Sequence, residues 1–172
     1  MAGLIHIYCG DGKGKTSAAV GLALRAAGAG MKVLFVQFLK DGGSSELPML
    51  QRLGIETACC SGHHKFVFQM TEEEREMAAR DYTRLLLDSL SRCRDGVGLL
   101  VLDEVLPACE LGMVPAGVLE DFLRNKPREL EAALTGRKPS PSLLELADYV
   151  TEMKKLKHPY DRGIQARAGI EF

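Results

Sequence analysis

The run Cys9-Gly10-Asp11-Gly12-Lys13-Gly14-Lys15-Thr16, followed by Ser17, is the part of this chain best suited to chemistry. A glycine-rich turn ending in Gly-Lys-Thr lets backbone amides close around a polyphosphate, because glycine has no Cβ to hold the main chain away from the ligand. Lys15 can reach the outer phosphates. The Thr16 hydroxyl is a hard oxygen ligand for a divalent cation, Mg2+ or Mn2+, that bridges phosphate oxygens. The usual spacing of this motif asks for glycine where Cys9 stands, but Gly10 and Gly12 can still supply the tight turn. A second chemical feature is Leu99-Leu100-Val101-Leu102 ending in Asp103-Glu104. Adjacent carboxylates at the end of an apolar strand can hold the same cation, directly or through water. Together the two motifs predict a nucleoside triphosphate site, without naming the reaction.

Such a site must be positioned by a strand before the glycines and a helix after them. Residues 4–8 are a short, mostly apolar run with β-branched members, and residues 17–27 are alanine-rich with apolar positions at helical spacing. The loop amides and the positive end of the helix dipole then meet at one point. Residues 32–38 read as a second buried strand, so that two parallel strands flank the nucleotide turn. A flexible loop over 41–45, a short helix over 48–53 and a weak strand over 55–59 follow. Thr71 and Glu74 form a capping box ahead of a helix running to about Cys93. The chain continues with the strand over 99–102, a helix over 118–125, a weak strand over 130–134, a short helix over 143–147 and an edge strand over 149–152. This alternation predicts a three-layer α/β fold with a mainly parallel sheet, whose ligands gather at the carboxyl ends of the strands.

At 172 residues, with 46% hydrophobic content, residues 1–172 are expected to form a single domain with one sizeable core. A net charge of -1 with mixed signs points away from a general nucleic-acid or membrane surface. With no signal segment ahead of the first strand and no long apolar stretch, the expected location is the cytoplasm. Five cysteines without paired C-x-x-C spacing fit reduced thiols. Cys59-Cys60 with His63-His64 lacks tetrahedral zinc spacing and reads as ordinary side chains.

Gly10-Asp11-Gly12-Lys13-Gly14-Lys15-Thr16 and Val36-Gln37-Phe38-Leu39-Lys40 are joined by Val101-Leu102-Asp103-Glu104-Val105 and Leu134-Thr135-Gly136-Arg137. Ala147-Asp148-Tyr149-Val150-Thr151-Glu152-Met153, Lys157-His158-Pro159-Tyr160-Asp161 and Gly169-Ile170-Glu171 complete the series. In this order the motifs resemble the ATP:corrinoid adenosyltransferases of the CobA/CobO/BtuR family along nearly the whole chain. The C-terminal motifs are the more specific part, because they are not general features of phosphate loops.

The resemblance implies a P-loop (RecA-like) fold and transfer of the 5′-deoxyadenosyl group of ATP to a reduced corrinoid, with release of triphosphate. Co(I) is then the nucleophile. Lys15, Thr16, Glu104 and Arg137 would carry catalysis, with the cation on Thr16, Asp103 and Glu104. ATP would lie on Gly10, Asp11, Gly12, Lys13, Gly14, Lys15, Thr16, Ser17 and Arg137, the arginine reaching phosphates or sugar. Asp11 replaces the family's usual asparagine, and its carboxylate would repel phosphate unless it faces the ribose hydroxyls or Lys13. Phe66-Val67-Phe68 lies where the family often has Phe-Thr-Trp, implying that Phe66 and Phe68 face the corrin and help displace the lower axial ligand of cobalt. Two phenylalanines also fit an ordinary core.

Lys154, Lys155, Lys157 and His158 form a basic cluster facing the corrin amides, the triphosphate or solvent. Family members often carry a segment ahead of the first strand that folds over the site. Here the pocket is expected to be more open, or closed by the partner subunit or the C-terminal tail. A homodimer and a reduced flavoprotein electron donor are further implications. A small-molecule kinase or ATPase, and a nucleotide-dependent corrinoid-binding protein without turnover, remain the alternatives.

Overall fold

The computed structural model describes residues 2–40, 42–60, 65 and 67–171. The strands are Ile5–Cys9 (β1), Val33–Gln37 (β2), Glu56–Cys59 (β3), Leu99–Asp103 (β4), Glu131–Thr135 (β5) and Tyr149–Glu152 (β6). They alternate with helices Lys15–Gly28 (α1), Glu46–Arg52 (α2), Glu72–Arg92 (α3), Val105–Glu110 (α4), Ala116–Asn125 (α5) and Pro141–Leu146 (α6). Every strand pairing is parallel, in the order β3-β2-β4-β5-β1-β6.

Parallel strands require crossovers that cover both faces of the sheet, which is why β2 and β4 are apolar almost throughout and buried at every residue. The two-residue period of the strands divides them between the layers. Val33, Phe35, Leu99 and Val101 meet Ala19, Ala23 and Ala26 of α1 and Leu47 and Leu50 of α2. Leu34, Val36, Leu100 and Leu102 meet Ala78, Tyr82, Leu86 and Leu90 of α3 and Leu119 and Leu123 of α5. The alanine stripe of α1 brings that helix close to the sheet, fixing its N-terminus beside the strand ends. At the start of α3, Glu74 N donates to Thr71 Oγ1 (3.3 Å) and Thr71 N to Glu74 Oε2 (2.9 Å), the capping box the spacing predicts. No helix among the described residues is long and apolar enough to cross a membrane.

The expectation that β1 and β2 flank the nucleotide turn is corrected by the sheet order. The crossover through α1 spans two strand positions that β4 and β5 fill, so the neighbours of β1 are β5 and β6. β5 has a weak sequence signal because of its alanines and glutamate, yet it lies inside the sheet with Ala132, Ala133 and Leu134 fully buried. Its small side chains leave room for helices on both faces. α4 has no counterpart in the sequence reading, since six residues are too few to display a helical period.

Candidate functional site

Beyond β1 the chain turns through Gly10 (φ 104°) and Gly14 (φ 114°), a backbone region that side chains of L-residues rarely enter. Space imposes a second demand for glycine: a Cβ on Gly10 or Gly12 would lie 2.4 or 2.6 Å from the Met153 carbonyl oxygen. That approach is fixed by main-chain hydrogen bonds. Gly10 N donates to Arg137 O (2.9 Å), Gly12 N to Met153 O (2.7 Å), and Met153 N to Cys9 O (2.8 Å). The loop is therefore clamped between the turn after β5 and the end of β6. Gly14 caps α1 without a side-chain hydrogen bond, which leaves first-turn amides available to an anion.

The loop side chains take separate directions. Lys15 Nζ donates to Gly12 O (2.8 Å). Lys13 Nζ donates to Ile170 O and stands 3.8 Å from the Glu171 carboxylate. Asp11 accepts from Lys155 N (2.9 Å), so its partner is the chain beyond β6 rather than Lys13. That backbone hydrogen bond is the main cause holding the Asp11 carboxyl below its usual range.

Asp103 ends β4 fully buried, and each of its oxygens has two donors. Oδ1 accepts from Thr16 Oγ1 (2.9 Å) and Thr135 Oγ1 (2.8 Å), while Oδ2 accepts from Gln37 Nε2 and Lys40 Nζ (both 3.1 Å). Such saturation is what a carboxylate removed from water requires. Gln37 also donates to Glu46 Oε1 (3.1 Å), and its own Oε1 is buried without a partner among the described residues.

Glu104 leaves the strand at φ 59°, with its N–H on Thr135 Oγ1 (2.9 Å). Its carboxyl lines the cleft and takes no hydrogen bond among the described residues. Burial, and then the charge of Asp103, push this carboxyl above its usual range against the pull of Lys40, Lys15 and Arg137. An uncommitted carboxylate beside Thr16 and Asp103 makes a hard oxygen donor set suited to a small divalent cation.

The Thr-Gly-Arg turn now has a physical account. Thr135 joins Asp103 to Glu104. Gly136 is required by space, since a Cβ there would lie 2.5 Å from Leu106 Cβ. Arg137 meets the loop through its carbonyl; its side chain, expected at phosphates or sugar, is exposed and does not line the cleft.

A cleft of about 940 Å³ opens beside the loop and Glu104. Its lining includes Lys13, Gly14, Lys15, Thr16, Ser17, Lys40, Glu46, Lys65, Glu104 and the tail residues Gly169, Ile170 and Glu171. The C-terminal segment thus forms part of the cleft wall beside the loop. Glu171 is held there by Arg167, whose hydrogen bonds draw its carboxyl down to about 2. His158 has a local task, its Nδ1 accepting from Tyr160 N (3.2 Å).

Phe66, His63 and His64 lie outside the described residues. Phe68, on the 3₁₀ turn Val67–Gln69, is 81% exposed and so is not a core ring. Burial pushes the Cys60 thiol up to about 11. Sequence reasoning missed Gln37, Glu46, Lys40 and Thr135 as members of the cluster. For Gln37, Lys40 and Thr135 the available signal was polar residues ending or following buried strands; Glu46, which opens α2, carries no such signal.

The sequence model for ATP:corrinoid adenosyltransferase BtuR/CobO/CobP matches residues 1–172. A corrinoid adenosyltransferase of Pseudomonas aeruginosa is 34% identical over 171 residues, covering 99% of this chain and 84% of that protein. Those of Escherichia coli K12 and Salmonella typhimurium are each 32% identical over 176 residues, covering 99% of this chain and 86% of theirs. Among solved structures, EssC (ATPases 2 and 3) from Geobacillus thermodenitrificans aligns with TM-score 0.56 at 14% identity, covering 97% of this chain and 35% of that one. The KaiC-like protein PH0186 from Pyrococcus horikoshii aligns with TM-score 0.51 at 15% identity, covering 91% and 75%. These two likenesses concern the fold, a RecA-like three-layer arrangement of the P-loop kind. With the family match spanning the phosphate loop, the acidic strand end and the Thr-Gly-Arg turn alike, the chain belongs to the corrinoid adenosyltransferase family.

Proposed function

We propose that residues 1–172 act as one catalytic unit that transfers the 5′-deoxyadenosyl group of ATP to the Co(I) of a reduced corrinoid. The observation that carries this reading is the cleft itself, where the ammonium-bearing Lys13, Lys15, Lys40 and Lys65 gather with the phosphate loop and Glu104. Such a concentration of positive charge suits a departing polyphosphate. The corrinoid cobalt supplies the electron pair that forms the cobalt–carbon bond at C5′, while the C5′–O bond breaks and its electrons leave on triphosphate. No side-chain base is needed.

Lys15 releases the Gly12 carbonyl and turns its ammonium onto the leaving phosphates, where growing negative charge is best stabilised by a preplaced cation. With Gly10 N and Gly12 N committed to the Arg137 and Met153 carbonyls, the loop is held in place and its remaining amides at the start of α1 orient the same group. Thr16, Asp103 and Glu104 hold the divalent cation. When bound, that ion neutralises phosphate charge as a Lewis acid. Ser17 and Lys13 line the phosphate end, with Lys13 exchanging the tail for ligand. Phe68 presents an exposed ring suited to a corrin face, and Phe66 belongs to the same reading.

An anaerobic assay with Mg-ATP and chemically reduced cobalamin tests the proposal. The expected products are a light-sensitive alkylcobalamin and triphosphate. An unchanged corrin spectrum with ADP formation would make the chain a kinase or ATPase instead.

A further inference from the structure

Leu39 (φ 56°) and Glu104 (φ 59°) are the non-glycine residues with left-handed backbone among those described. They follow β2 and β4, strands that pair directly with Gln37 opposite Asp103. Unfavourable backbone of this kind persists only where its surroundings hold it. Here Phe38 is fully buried and its N–H is bonded to Asp103 O (2.9 Å). The turn at Leu39 therefore sends Lys40 back over the end of β4. Its Nζ lies 3.1 Å from Asp103 Oδ2 and 3.7 Å from Glu46 Oε1.

The other cleft lysines are engaged differently. Lys13 and Lys15 hold carbonyl oxygens and Lys65 pairs with Glu74. Gln37 already bridges Asp103 and Glu46 with its amide, so the spacing of these two carboxylates does not depend on Lys40. What Lys40 adds is charge. We propose that Lys40 is the internal cation of the site: without ligand its ammonium neutralises Asp103 and Glu46, and it yields Asp103 when a divalent cation enters. Lys40 is thus a positioning residue that sets how strongly the site demands its metal ion. The inference rests on reading Thr16, Asp103 and Glu104 as the cation site.

Mn2+ titrated into the full chain, with free ion followed by electron paramagnetic resonance, tests this directly. Removing a competing ammonium from the buried Asp103 carboxylate should lower the half-saturating Mn2+ of Lys40→Met about tenfold. Lys40→Gln should behave alike and guards against a folding defect of one variant, whereas Lys40→Arg should remain near wild type. Unchanged or weaker Mn2+ binding in both neutral variants would overturn the proposal. So would equal losses of thermal midpoint with and without Mn2+, the signature of mere packing. If the tighter Mn2+ binding appears while the wild-type chain fails to make alkylcobalamin, the adenosyl-transfer reading falls and the role of Lys40 stands. The opposite pair of results removes Lys40 alone.

Discussion

On the β1 side of the cleft the chain is held by main-chain hydrogen bonds that Gly10 N and Gly12 N donate to the carbonyls of Arg137 and Met153, whereas on the β4 side Asp103 is held by the side chains of Thr16, Thr135, Gln37 and Lys40. The first wall needs empty space and backbone freedom. The second needs balanced charge. Glycine substitutions should accordingly injure the loop by volume, and charge-neutral substitutions should injure the acidic corner without moving the chain.

The largest effect is expected from Lys15→Ala, the loop's mobile cation. Loss of a preplaced charge on the leaving group should lower turnover more than about a hundredfold. Near-normal activity would remove Lys15 from the mechanism. Gly12→Ala comes next, since its Cβ would meet the Met153 carbonyl at 2.6 Å. ATP binding by calorimetry should weaken by roughly tenfold or more, with a stability loss of about 1–3 kcal/mol from overpacking. Normal ATP affinity would show that the loop can leave Met153 without penalty.

Glu104→Gln probes the charged wall and should separate stability from activity. The Glu104 carboxyl is raised by burial and by Asp103, so the folded chain binds its proton more tightly than the unfolded chain does. Its stabilising share is complete below the unfolded glutamate value and is lost as pH rises through the raised one. Glu104→Gln should therefore raise the neutral-pH melting temperature of the ligand-free protein and flatten its pH dependence, while lowering Mg2+-dependent turnover about tenfold. A lower melting temperature at neutral pH would contradict the electrostatic account. The smallest effect on folding belongs to Phe68→Ala, within about 0.5 kcal/mol for so exposed a ring. Reaction from Co(II) should suffer more than reaction from prereduced Co(I). Equal losses would remove the ring from ligand displacement.

The β1–loop–α1 unit was legible because its signals are local: a strand period, glycines, Gly-Lys-Thr and an alanine stripe lie within residues 4–27. Asp103 and Glu104 were legible because adjacent carboxylates end an apolar strand in a chain that also carries the glycine loop, whereas acid at a strand end alone is often only solvated. Arg137 and Asp11 were harder to place. Each residue type suits a phosphate or ribose contact, but Arg137 meets the loop by its carbonyl and Asp11 meets Lys155 N, partners fixed by where β5 and β6 lie.

Sequence alone determined the alternation of strands and helices, the phosphate loop and the acidic strand end, since each depends on residues within a few positions of one another. Tertiary structure decided the insertion of β4 and β5 between β2 and β1 and the clamp of Met153 on the glycines. It also decided the convergence of Gln37, Lys40, Glu46 and Thr135 around Asp103 and Glu104. These depend on sheet order and on which strand ends become neighbours, a choice made by packing both faces of the sheet rather than by any local run of residues.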